Sequence, residues 1–249
     1  MKKKTFLWYL LLPSLLWTKD SLTSEVKKLL KVSNYQQARE VVQMAIQREP
    51  DISSHYILLS QIYQEERLYS NAYRVISKAY NYFPENPWVA KELADVYRQM
   101  GEYKKALDLY RQWLPTIEEK YRNLWYYGMG VCYFELENYE KAILFLEQST
   151  RGKISFWALY YLGRSYRAKG YLQKALWAFE RSELQLFLQP EWAKPLLYYE
   201  WGITMVEFGI TVKQTNTIAA KTIFVSLLED KRFSDRRVKE RAEFWVKRL

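Results

Sequence analysis

Two side chains of the kinds that act as nucleophile, proton carrier or metal ligand occur only once each, Cys132 and His55. A lone cysteine cannot close an intrachain disulfide, and a lone histidine has no second imidazole for a histidine-rich metal site. Carboxylate pairs such as Glu65 with Glu66 and Glu118 with Glu119 are adjacent in sequence. Such neighbours point to different faces of a helix, so neither pair converges on a substrate as a general acid and base must. No glycine-rich phosphate loop, HExxH or GxSxG motif is present. The expectation is therefore no catalytic residue, no metal ligand and no cofactor, with His55 at the surface or in packing and Cys132 as a small buried apolar residue.

The chemistry left is recognition by aromatic and basic side chains, as in "GEYKKALDLYRQW" from Gly101 to Trp113. Aromatic residues make up 17% of the chain, more than any binding surface needs, so most must pack. The formal charge of +10 favours acidic partners in general, nucleic acid and anionic lipid among them. It is concentrated at the ends. Lys2, Lys3, Lys4 and Lys19 face only Asp20, and residues 231–249 carry eight basic against three acidic side chains. With a near-neutral middle, a continuous nucleic-acid stripe is disfavoured.

The elements that must position such residues begin with "MKKKTFLWYLLLPSLLWTKDS". Three lysines before an apolar run from Phe6 to Trp17 have the order of a secretory signal. Twelve helical residues span roughly 18 Å, short of the ~30 Å hydrocarbon core, which makes a full transmembrane helix the weaker reading. No small-x-small pair follows Trp17, and no cysteine for a lipid anchor. Residues 1–18 are read as a signal peptide or an N-terminal membrane tether, and the protein as exported, periplasmic or tethered facing the periplasm.

The rest of the chain repeats. Ala38, Ala72, Ala106, Ala142 and Ala175 recur at steps of 34, 34, 36 and 33 residues, each preceded three positions earlier by Tyr35, Tyr69, Tyr103, Tyr139 or Leu172. Upstream, Ser60, Ala94, Gly130 and Gly163 are each followed three positions later by Tyr63, Tyr97, Tyr133 or Tyr166. Each unit is thus two short amphipathic helices with a turn between them, where Gly101 and Gly170 stand, and Pro50 and Pro84 close two of the units. Within the opening stretch, Tyr103, Ala106, Leu107, Tyr110 and Trp113 read as packing, and Lys104, Lys105 and Arg111 as a solvated face.

This pattern resembles the tetratricopeptide repeat family, whose motif has a small residue in the first helix, an aromatic three later, an alanine in the second helix and a proline near its end. The resemblance implies an all-α fold, a right-handed superhelical α-solenoid of tetratricopeptide-like helix-turn-helix repeats with a C-terminal capping helix. Residues 19–230 hold about six repeats starting near 19, 53, 87, 123, 156 and 195, the sixth using Ala219 or Ala220 with Phe224 after the insert "ITVKQTNT". Residues 231–249 form the basic C-terminal capping helix, with Ser234 as N-cap, Asp235 at the positive end of its dipole, and an apolar stripe of Val238, Ala242, Trp245 and Leu249.

In that family the first helices line a concave groove. Carried over position by position, this picks Trp88, Lys91, Asp95, Arg98 and Gln99; Leu124, Tyr127, Val131, Phe134 and Glu135; Trp157, Tyr160, Arg164, Arg167 and Ala168; and Leu196, Tyr199, Ile203, Val206 and Glu207. Trp, Tyr and Arg dominate binding hot spots, and the candidate partner-binding residues are Trp88, Lys91, Arg98, Tyr127, Phe134, Trp157, Tyr160, Arg164, Arg167 and Tyr199. The Lys/Asn/Arg clamp of chaperone-adaptor members is not matched, because Asp95 and Val131 replace the amides.

The resemblance and the export segment together imply a non-enzymatic scaffold or adaptor of the cell envelope. Its partner would be another protein or peptide with apolar and acidic residues. Membrane association through the N-terminus or the basic C-terminal helix is a further expectation. The alternatives are a helical-repeat nucleic-acid binder and an enzyme with an unrecognised site.

Overall fold

A computed structural model of the chain describes residues 19–151, 155–212, 217–229 and 236–248. Residues 1–18, read above as a signal peptide or tether, the Ser234 cap with Asp235, and Leu249 lie outside the described residues. The described residues form α-helices and short 3-10 turns, with no strand among them. They divide into two compact units, Met1–Met100 and Gly101–Leu249.

Unit 1 contains α1 (Lys19–Lys31), α2 (Tyr35–Arg48), α3 (Ser53–Glu65), α4 (Tyr69–Tyr82) and α5 (Pro87–Gln99). Unit 2 contains α6 (Tyr103–Trp113), α7 (Glu119–Glu135), α8 (Tyr139–Ser149), α9 (Phe156–Ala168), α10 (Leu172–Glu183), α11 (Ala193–Val212), α12 (Thr217–Glu229) and α13 (Arg236–Arg248). Single 3-10 turns at Leu114–Thr116 and Leu186–Leu188 follow α6 and α10. Within each unit every helix packs chiefly on its sequence neighbours, which is the pairing a tetratricopeptide solenoid requires.

Local chemistry sets the ends of these helices. Asn34, Asn86 and Asn138 turn their side-chain oxygens onto the first free backbone N–H groups of α2, α5 and α8, and Pro87 adds its fixed φ to the first turn of α5. Five residues before each repeat alanine stands one residue in the left-handed region: Ser33, Arg67, Gly101, Glu137 and Gly170, with φ of 55°, 60°, 81°, 58° and 76°. Only two of the five are glycine. The sequence signals the turn at Gly101 and Gly170, whereas Ser33, Arg67 and Glu137 adopt the same conformation against their own preference because the packed hairpin demands it.

The repeat alanines Ala38, Ala72, Ala106, Ala142 and Ala175 are completely buried, as are the first-helix small residues Ser60, Ala94, Gly130 and Gly163. At Gly163 the reason is contact distance: a Cβ there would sit 2.6 Å from the Phe179 ring on α10. Paired helices touch backbone to ring at such points, and the large second-helix side chain fills the room left by the small one.

One helix start differs from the sequence reading, and one open alternative is decided. The first helix of the fourth hairpin starts at Glu119, about one turn before residue 123, because Pro115 ends the α6 segment early. Arg122 Nε then donates to the Ile117 carbonyl at 2.9 Å across the joint. In the last hairpin Ala220, not Ala219, is the buried alanine, packed with Phe224, Leu227 and Val206. Ala242 and Trp245 of α13 close that cluster from the other side, as expected of a terminal helix. No described helix is long and apolar enough to cross a membrane.

Candidate functional site

Cys132 is buried in α7. His55 is also buried, its Nε2 3.9 Å from a Glu49 carboxylate oxygen and its Nδ1 without a hydrogen-bond partner. Among the described residues no group of three or more His, Cys, Asp or Glu side chains could hold a metal ion. What the first helices do bring together is polar and aromatic, and it differs between the units.

In unit 1 the three candidates lie on α5. Trp88 is exposed beside the Asn86 cap. Lys91 Nζ lies 2.5 Å and Arg98 Nη2 3.2 Å from the two oxygens of Asp95, so a single acid one turn from each pairs with both. This is the acid that replaces the family's clamp amide. Beneath it, Glu92 is buried against α3, where Gln61 Nε2 donates to it at 3.2 Å and Gln64 Nε2 donates to its other oxygen. Gln99 Nε2 continues the chain to Gln64 Oε1 at 2.7 Å. Burial, then the nearby charge of Asp95, pushes the Glu92 carboxyl up to about 6, and Lys91 and the hydrogen bonds from Ser60 and Gln61 only partly oppose this.

In unit 2 five of the seven candidates form one cluster. The Arg164 guanidinium lies over Phe134 at 4.5 Å, Tyr160 at 5.5 Å and Tyr161 at 5.7 Å from the ring centroids. Its Nε is 3.2 Å from Glu200, and Arg167 donates to the other Glu200 oxygen at 2.6 Å and to Glu207 at 3.3 Å. Burial works against the Arg167 charge, but Glu200 and Glu207 outweigh it and raise its pKa. Trp157 joins through edge contacts with Phe156 and Tyr160 and leans on Trp192 at 5.4 Å.

Exposure separates these candidates further. Tyr160 is only 5% exposed, its hydroxyl pKa raised mainly by burial, so it serves as the platform under Arg164 rather than as a contact surface. Tyr199 accepts from Arg241 of α13 at 3.4 Å. Tyr127 is half-buried on α7. Arg111 is not simply solvated, since its Nη2 donates to Tyr133 Oη at 2.5 Å. The residue that sequence reasoning missed is Glu200, the buried carboxylate that pairs with both arginines and accepts a hydrogen bond from Arg167. Its signal was present: one carboxylate inside the otherwise apolar run "PLLYYEWGITMV".

The repeat register and the helix-by-helix packing define the tetratricopeptide-repeat fold. A family model described as anaphase-promoting complex, cyclosome, subunit 3 matches residues 65–149. No curated protein matches the chain in sequence. Among solved structures, PilW, a widely conserved type IV pilus biogenesis factor, superposes with a TM-score of 0.71 at 14% identity, over 87% of this chain and 94% of that one. Pseudomonas aeruginosa pilF gives a TM-score of 0.68 at 14% identity over 90% and 96% of the two chains. Cut9–Hcn1 of the APC/C gives 0.69 at 17% identity, over 92% of this chain and 46% of that one. At these identities the likeness is one of fold.

Proposed function

We propose that the protein is a non-enzymatic adaptor of the cell envelope that holds a segment of another protein on the first-helix face of unit 2. The observation that carries this is the Arg164 guanidinium, placed over Phe134 and Tyr161 and paired with a buried Glu200. A cation fixed in this way, beside the half-buried Trp157, presents an oriented donor and an apolar wall without an entropy cost at binding. With Glu200 and Glu207 already balancing the two arginines, the partner segment is one with apolar anchors and few acids rather than a strongly acidic one.

An envelope setting is supported by the lysine-then-apolar order of residues 1–18 and by the likeness to PilW and pilF. Membrane association belongs to that N-terminal segment. In α13, Ala242, Trp245 and Val246 are turned to the core, and among the described residues of that helix Phe244 is the exposed large apolar side chain, flanked by charges.

Replacing Trp157→Ala together with Arg164→Gln tests the reading. Crosslinking in native cells followed by mass spectrometry should lose the partner while helical content stays unchanged. Capture undiminished by the double change removes this face from the function.

A further inference from the structure

Among the described residues of unit 2, the connection between α10 and α11 leaves the most large apolar surface in water. Leu184, Phe187 and Leu188 are 67%, 80% and 65% exposed around the 3-10 turn. Such surface on a short turn marks an interaction site. Beside it is a cleft of about 380 Å³, lined by Phe187 and Pro190 and bordered by Glu183, Glu191, Lys194 and Tyr198. The volume is at the lower end of ligand-sized clefts, room for one aromatic side chain and the stem beside it. Tyr198 Oη donates to Glu183 at 2.6 Å and holds that carboxylate at the rim. The acceptor chemistry is therefore apolar with a small excess of negative charge.

The complementary surface is on α13 of the same unit. Phe244 is 46% exposed, and the Arg248 guanidinium covers its ring at 4.3 Å. Arg241 and Lys247 lie on the same side at i−3 and i+3; of the two acids nearby, Glu240 is held by Arg236 at 2.7 Å and Glu243 directly precedes Phe244, which leaves the cations in excess. An aromatic ring rimmed by cations is what an apolar cleft rimmed by carboxylates accepts. A bilayer is a poorer occupant, because the two carboxylates at the rim are repelled by anionic headgroups.

We propose that the cleft at Phe187 is the docking site for α13 of a second copy of this chain, Phe244 entering it with Arg248 against Glu191. Each copy offers one cleft and one α13, so a two-fold pair makes both contacts at once. This surface is separate from the Arg164 cluster, and a dimer neither requires nor excludes partner binding there.

Sedimentation of the full chain in a mild non-ionic detergent should give a concentration-dependent dimer. Glu191→Lys should weaken it about tenfold or more, and Glu191→Lys combined with Arg248→Glu in the same chain should restore it. Both residues are exposed, so circular dichroism should be unchanged. Mixing Phe187→Cys and Phe244→Cys copies should yield an interchain disulfide that neither variant forms alone. A monomer at all concentrations overturns the proposal, as does a dimer indifferent to both charge changes. So does flotation of the monomer with anionic vesicles that is lost when Phe187 and Leu188 become Ser, which would give the patch to lipid.

Discussion

Glu92 and Glu200 stand at the same place in two repeats, each two residues before the small residue of its own first helix, Ala94 or Gly202. Each reaches back to the positions one and four beyond the small residue of the preceding first helix. For Glu92 in unit 1 these are Gln61 and Gln64; for Glu200 in unit 2 they are Arg164 and Arg167. The backbone framework is the same and the partners differ. Amides satisfy the hydrogen bonds of a buried carboxylate without supplying charge, so Glu92 keeps most of its desolvation cost and its pKa rises. Guanidiniums supply charge as well, which leaves the unit 2 cluster cationic until Glu207 balances it. One repeat position thus yields a polar floor in one unit and an oriented cation over aromatic rings in the other.

The largest test of that difference is Glu200→Leu. It leaves two half-buried arginines without their common acceptor, and urea unfolding should show a loss of about 3–5 kcal/mol. A loss under about 1 kcal/mol would mean that Glu207 and water can take over, and that Glu200 does not organise the cluster.

A smaller effect is expected at the equivalent acid. Because its folded pKa of about 6 lies above the ordinary 4.5, Glu92 binds its proton more tightly in the folded than in the unfolded chain. Its contribution is fully present below pH 4.5 and is lost as pH rises to about 6, on the order of 2 kcal/mol in all. Unfolding midpoints across that range should fall more steeply for the natural chain than for Glu92→Gln. Gln61→Arg with Gln64→Arg would import the unit 2 arrangement and should flatten the profile too; parallel profiles in all three proteins would show that the amides do not govern Glu92.

The smallest effect sets a baseline shared by both units. Arg67→Gly in unit 1 and Glu137→Gly in unit 2 relieve the same left-handed turn, and each should stabilise by up to about 1 kcal/mol in thermal unfolding. Unequal responses would mean that the turns, and not only the buried acids, differ between the units.

Much of this fold is legible in the chain because the tetratricopeptide motif is a packing code. An alanine buried between helices and a small residue facing a large one leave a fixed spacing wherever they occur, so Ala72 or Gly163 can be recognised before any coordinate is known. The candidate site is legible only as a set of positions. Arg164 and Tyr160 were both assigned to the groove, yet one lies over the platform that the other helps to form. Spacing within a helix says which face a residue is on, and it does not say how far a side chain is buried beneath its neighbours.

By itself the sequence determined the helical repeat, its phase, the absence of any recognised catalytic motif and the concentration of charge at the two ends. Only the tertiary structure decided that Ala220 rather than Ala219 is the packed alanine, that Ser33, Arg67 and Glu137 take the glycine conformation, and that Glu200 joins Arg164 to Arg167. The physical reason is range. Helix periodicity and steric size act over a few residues and are written locally, whereas the desolvation of a carboxylate and its repayment by partners some thirty residues away exist only once the helices have packed.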